Sequence, residues 1–113
     1  MKYVNLSLVA ALAISFSGAV NAAAGLTESF FFGKTYANDS SFLRFYKRES
    51  RKDPGFRLCT LNGAPQNVTE CVWEYDARDR ALIVWVNGNR DWWTVSTDGK
   101  TIREGSFVKR LVQ

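Results

Sequence analysis

The sequence has no histidine at all, and among its 113 residues there are only two cysteines and two prolines. The first absence removes the Ser-His and Cys-His nucleophile pairs and any metal held by imidazole. Cys59 and Cys71 stand too far apart for a compact two-thiol redox or metal motif, and no histidine is there to complete one. Neither lies near the front of the chain, which excludes a bacterial lipoprotein anchor there. Helical patterning is also missing: no stretch of roughly ten residues repeats apolar positions at the helical period between capping residues. There is no internal repeat, linker or low-complexity tract, and only one long apolar run.

That run fills Val4 to Val20, behind Lys2, the single charge before Glu28. It closes on Val20-Asn21-Ala22, residues small enough for a signal peptidase, so residues 1–22 are expected to be a cleavable signal peptide. The alternative is a membrane anchor, but a run broken by Asn5, Ser7, Ser15 and Ser17 barely reaches the ~20 apolar residues a span needs. The expected mature protein is Ala23 to Gln113, one domain without a membrane span, either secreted or periplasmic. A domain that short has a marginal core and often carries a covalent staple. In an oxidising compartment the two cysteines read as one Cys59–Cys71 disulfide, contributing about 3 kcal/mol in the chain-entropy model.

The formal net charge is +4, and Lys2 leaves with the signal peptide. What remains is uneven. Between Arg44 and Arg57 lie Arg44, Lys47, Arg48, Arg51, Lys52 and Arg57, set against Glu49 and Asp53 alone. The positive field therefore belongs to one segment, and a dedicated nucleic-acid partner is not expected from so small a total.

The apolar pattern is that of short strands punctuated by turns. Runs are expected over Leu26 to Phe32, Ser41 to Arg48, Phe56 to Leu61, Val68 to Asp76, Ala81 to Val86, Asp91 to Ser96, Lys100 to Glu104 and Ser106 to Val112. Pro54-Gly55, Asn62-Gly63, Asn87-Gly88 and Asp98-Gly99 are the turn signals between them. Turns this frequent predict an all-β fold: a small antiparallel β-sandwich or partly open β-barrel of six to eight short strands with one disulfide. Cys59 and Cys71 are equidistant from position 65, so a simple hairpin sets them opposite one another.

Asn87-Gly88 is the strongest hairpin signal, because both residues tolerate the positive φ of a type I′ turn. With those two at the bend, Val86 faces Asn89, Val84 faces Asp91 and Leu82 faces Trp93. Leu82, Val84, Val86, Trp93 and Val95 then share one side, the natural core. Ile83, Trp85, Arg90, Trp92 and Thr94 share the other. An outward side bearing Ile83, Trp85 and Trp92 beside Arg90 suits a protein interface, where Trp and Arg are favoured anchors, or a sugar or base that stacks on the rings. A second sheet covering that side is the structural alternative. The basic residues Arg44, Lys47, Arg48, Arg51 and Lys52, with Phe45, Tyr46 and Phe56 among them, form a second candidate surface for an acidic partner. A solvated hairpin tip is its plainer explanation.

Carboxylates offer the only catalytic pattern. Glu74 and Asp76 point to one side of a strand, with Asp91 as a possible third member, a pairing used in glycoside hydrolysis when a deep cleft houses it. No cofactor is expected. Asn38-Asp39-Ser40 and Asn67-Val68-Thr69 match the N-glycosylation pattern, relevant only in a eukaryotic secretory path.

Asp91-Trp92-Trp93-Thr94-Val95-Ser96-Thr97-Asp98-Gly99, continued by Glu104-Gly105-Ser106-Phe107, resembles the closing strands of the fungal MAX (ToxB-like) effectors. That resemblance implies a small secreted β-sandwich with one disulfide that acts by binding host proteins. Gly33-Lys34-Thr35-Tyr36 is similar to the Gly-x-Trp opening of a lipocalin-like small barrel. This second resemblance implies a periplasmic carrier of a small apolar ligand. The favoured expectation is a non-enzymatic protein-binding module of effector, inhibitor or immunity type, anchored by Trp85, Trp92 and Arg90.

Overall fold

The computed structural model describes residues 25–64 and 67–113; the expected signal peptide lies outside them. Eight antiparallel strands follow one another around a closed barrel: β1 (Thr35–Ala37), β2 (Phe42–Glu49), β3 (Arg57–Ala64), β4 (Asn67–Asp76), β5 (Ala81–Val86), β6 (Asn89–Val95), β7 (Thr101–Glu104) and β8 (Phe107–Leu111). Between the sandwich and barrel alternatives, the chain builds the barrel. Closure is made by β1 and β8, where Tyr36 pairs with Leu111 and Ala37 with Arg110. Backbone bonds from Thr35 to Gln113 (3.1 Å) and from Val112 to Thr35 (2.9 Å) extend that seam.

Closing the sheet leaves no free edge along the seam and assigns alternate side chains to the lumen or the outside. Leu43 and Phe45 of β2, Cys59 of β3, Cys71 and Trp73 of β4, Leu82 and Val84 of β5, Trp93 and Val95 of β6, and Ile102 of β7 all belong to the buried core. The β5–β6 register is the one the Asn87-Gly88 turn predicts: Val86 opposite Asn89, Val84 opposite Asp91, Leu82 opposite Trp93. Asn87 (φ 49°) and Gly88 (φ 82°) both take the left-handed conformation that turn requires. Cys59 and Cys71 pair across β3 and β4, bonded, with their Cα atoms 4.8 Å apart.

The front of the chain departs from expectation. Leu26 to Phe32 is not a strand: Glu28–Phe31 forms one turn of 3-10 helix that corks one end of the barrel. Three consecutive phenylalanines in a strand would alternate sides, leaving at least one large ring outside the core. The tight turn instead drives Phe31 inward, where it is fully buried against Tyr75 (ring centroids 4.7 Å), Phe45 (6.3 Å), Trp73 (6.3 Å) and Tyr36 (6.4 Å). Phe32 packs edge-on to Trp73 and Phe30 edge-on to Phe31. The Tyr36 hydroxyl donates to the Gly99 carbonyl at 2.5 Å. Burial, with the Asp98 charge adding to it, pushes that phenol far above its ordinary pKa, so it stays a donor.

This aromatic cluster lies towards the ends of β2 and β4 and the starts of β5 and β7. At the opposite pole, where β2 and β4 begin and β5 and β7 end, no such cork is found among the described residues. The barrel therefore has one plugged pole and one mouth.

Candidate functional site

Trp85 and Trp92 both face outward, as the hairpin register requires, while Trp73 and Trp93 fill the lumen. Their surroundings differ. Trp92 is 40% exposed, with the Arg90 guanidinium 5.9 Å from its ring centroid. Trp85 is half-buried, and the exposed ring of Phe56 meets it edge-on at 6.0 Å. Ile83 points the same way but is only 6% exposed, flanked across the ladder by Glu74 and Trp92, so it offers little contact surface.

Phe56 reaches Trp85 because the β2–β3 connection folds back over the outer face of the sheet. A β-bulge between Phe45 and Glu49 bends β2, and residues 50–56 are held by their own bonds. The Ser50 N–H donates to the Phe56 carbonyl (2.8 Å), the Phe56 N–H to the Asp53 carbonyl (3.1 Å), and the Asp53 N–H to the Ser50 hydroxyl (3.2 Å). Under this loop the outward residues Leu58 and Val72, paired across β3 and β4, are buried, and Val72 in turn pairs with Trp85. The result is a groove of about 490 Å3 walled by Phe56, Val72 and Trp85, with Lys52, Asp53 and Glu70 along it. The basic segment and the Trp85 face, separate features of the sequence, thus meet in one recess.

The remaining cations divide by location. Arg44 donates to the Thr35 hydroxyl (2.6 Å) and the Gln113 side chain (3.1 Å), and both it and Arg48 lie over the Tyr46 ring. Arg57 pairs with Glu28 at 3.1 Å and caps Phe32 at the plugged pole. Lys47, Arg51 and Lys52 are exposed and make no ion pair among the described residues. Arg51 borders a recess beside Arg48 and Glu70 that adjoins the groove. Of the basic candidates, then, Lys52 is free beside the aromatic wall and Arg51 in the adjoining recess, whereas Arg44 is tied into the barrel seam.

The carboxylates do not converge. Glu74 and Asp76 lie on the outer face of β4, whereas Asp91 faces the lumen opposite Val84. The Asp76 carboxylate is engaged locally, accepting from the Arg78 N–H at 3.0 Å. Among the described residues no group of three potential metal ligands is found, and no helix is long and apolar enough to cross a membrane. Of the two glycosylation matches, Asn38 uses its amide to bond the Val108 carbonyl (3.1 Å) and the Ser40 and Ser41 N–H groups (both 2.9 Å). Asn67 is exposed at the start of β4.

The mouth holds a residue that the sequence pattern does not flag. Lys109 of β8 points into the lumen beside Ile102 and is 7% exposed. Its ammonium donates to the Ser41 hydroxyl and lies 5.4 Å from the Trp93 ring centroid. With Ser41, Leu61, Asp91 and Trp93 it lines a recess of about 120 Å3. Burial pulls the Lys109 pKa down, with Glu104 opposing. Burial and the Asp91 charge push Glu104 up, while the Trp92 N–H and Lys109 hold it down. The β7–β8 turn carries the signal for this placement. With Gly105 and Ser106 at the bend, Lys109 falls opposite Ile102, the one aliphatic residue of β7 and hence its inward one.

No family model, curated protein or solved structure matches the chain.

Proposed function

We infer that this chain is an exported, non-enzymatic protein-binding module whose docking surface is the groove between the β2–β3 loop and β5. The observation that carries this reading is the meeting of Phe56 and Trp85 with the free Lys52 in a single recess of about 490 Å3, with Arg51 in the recess that adjoins it. A partly exposed aromatic pair gives contact area at low entropic cost, and unpaired Arg51 and Lys52 select acidic groups and speed encounter. The occupant that fits is an extended acidic segment of another protein, laid against the loop with an apolar side chain packed on the Phe56–Trp85 pair. Trp92 and Arg90 lie one strand further round and would extend the contact. The disulfide fits an oxidising compartment outside the cytoplasm.

A carrier of apolar ligands would need a hollow lumen. Here Phe31, Phe45, Trp73 and Trp93 occupy it, and the recess left at the mouth is well below the ~300 Å3 lower range of small-molecule pockets.

Selection of binders from a displayed random-peptide library tests the reading. Enriched sequences should pair Asp or Glu with an aromatic or aliphatic residue. Their affinity should fall about tenfold or more in Trp85→Ala, the size of a hot-spot truncation. It should also weaken in Lys52→Glu and at raised salt. Peptides without acidic bias, or with unchanged affinity for Trp85→Ala, would refute it.

A further inference from the structure

We propose that the mouth of the barrel is a second binding site, for a small zwitterion of amino-acid size, with Lys109 taking its carboxylate and Asp91 its ammonium. The site is independent of the outer groove, so its failure would leave the docking surface untouched.

The argument starts from a lysine where a hydrophobic residue would pack. Lys109 sits on the lumen face between Ile102 across the ladder and Trp93 below it. A lysine is seldom so enclosed without a carboxylate partner. Yet among the described residues no ion pair within 4.0 Å involves Lys109, Asp91 or Glu104. Two groups of opposite sign, Lys109 and Asp91, therefore line one recess without pairing, with Glu104 on the strand between theirs. The Lys109 ammonium has three N–H donors and one neutral oxygen partner, the Ser41 hydroxyl.

Size and charge then narrow the ligand. A recess of about 120 Å3 matches about four waters at their ~30 Å3 share of liquid volume. That is room for glycine, alanine or serine and too little for a fatty acid or a nucleotide. A lone anion would meet Lys109 but also face Asp91; a lone cation would meet Asp91 but also face Lys109. A molecule carrying both charges pairs each with its opposite, and the Trp93 ring and Leu61 supply an apolar wall for a short side chain. Such a site discriminates, because a ligand lacking the carboxylate leaves the buried Lys109 charge unmatched.

The test is isothermal titration of the purified protein, expressed from the full chain, with glycine, L-alanine and L-serine, and separately with acetate and methylammonium. The Trp93 indole N–H resonance, assigned by its loss in Trp93→Phe, gives a local second readout. At least one amino acid should bind saturably, about tenfold or more tighter than either singly charged probe, and should move the Trp93 resonance. Lys109→Met and Asp91→Asn should each lose about tenfold or more in affinity while still unfolding cooperatively. Should either variant fail to fold, the Trp93 shift in the unaltered protein decides alone. No binding at millimolar concentration, acetate binding as tightly as the amino acids, a still Trp93 resonance, or unchanged affinity in Lys109→Met would each overturn the proposal.

Discussion

Lys109 and Gly99 are the two residues at which local chemistry departs furthest from what packing alone would choose. For Lys109 the consequence is a pH dependence whose sign can be worked out. Its folded pKa lies below the ordinary 10.5, so between that lowered value and 10.5 the unfolded chain binds more protons than the folded one. Stability contributed through this residue therefore rises with pH across that window. Buried phenols such as Tyr36 act oppositely above pH 10, their ordinary value. Urea midpoints of the unaltered protein and Lys109→Met, compared from neutral pH upwards, isolate the lysine. The gap should favour Lys109→Met at neutral pH and shrink as pH rises. At Gly99 the backbone has φ +77°, and a Cβ would stand 2.6 Å from the Phe30 ring. Gly99→Ala should cost about 1–2 kcal/mol in chemical denaturation, combining left-handed strain with displacement of the ring. Gly88→Ala, with a similar φ of +82° but nothing within 4 Å, should cost less.

At the scale of elements, the hairpins were legible and the connections were not. The β5–β6 register follows from Asn87-Gly88 alone, since only that pair meets a two-residue turn's demand for positive φ. The β3–β4 pairing follows from the symmetry of the cysteines about position 65. By contrast β1 is three residues long, too short to show alternation, and only the lipocalin-like resemblance pointed to a strand opening near it. The inward direction of β8 is not legible in β8 itself, whose faces both mix charged and apolar residues (Phe107, Lys109 and Leu111 on one, Val108 and Arg110 on the other); it follows only through the β7–β8 turn and Ile102. The groove was unreadable for a different reason. It depends on a loop folding back across a sheet, a long-range contact that leaves no periodic trace. The disulfide gives this scale its prediction. Cys59→Ala with Cys71→Ala should lose about 3 kcal/mol, the chain-entropy value for so short a loop, while β4–β5 pairing survives. Equal denaturation midpoints with and without reductant would contradict it.

For the molecule as a whole, the division into a plugged and an open pole settles where the chain enters and leaves. Leu26 packs beside Gly99 under the phenylalanine cork, and Gln113 bonds to Thr35 and Arg44 at the start of the closing seam. Both ends of the described barrel thus emerge on the side away from the Lys109 recess. A tag, a fluorophore or a solid support joined to either terminus will stand the protein on its aromatic base, like a cup on a table, with its rim turned up to whatever is poured over it.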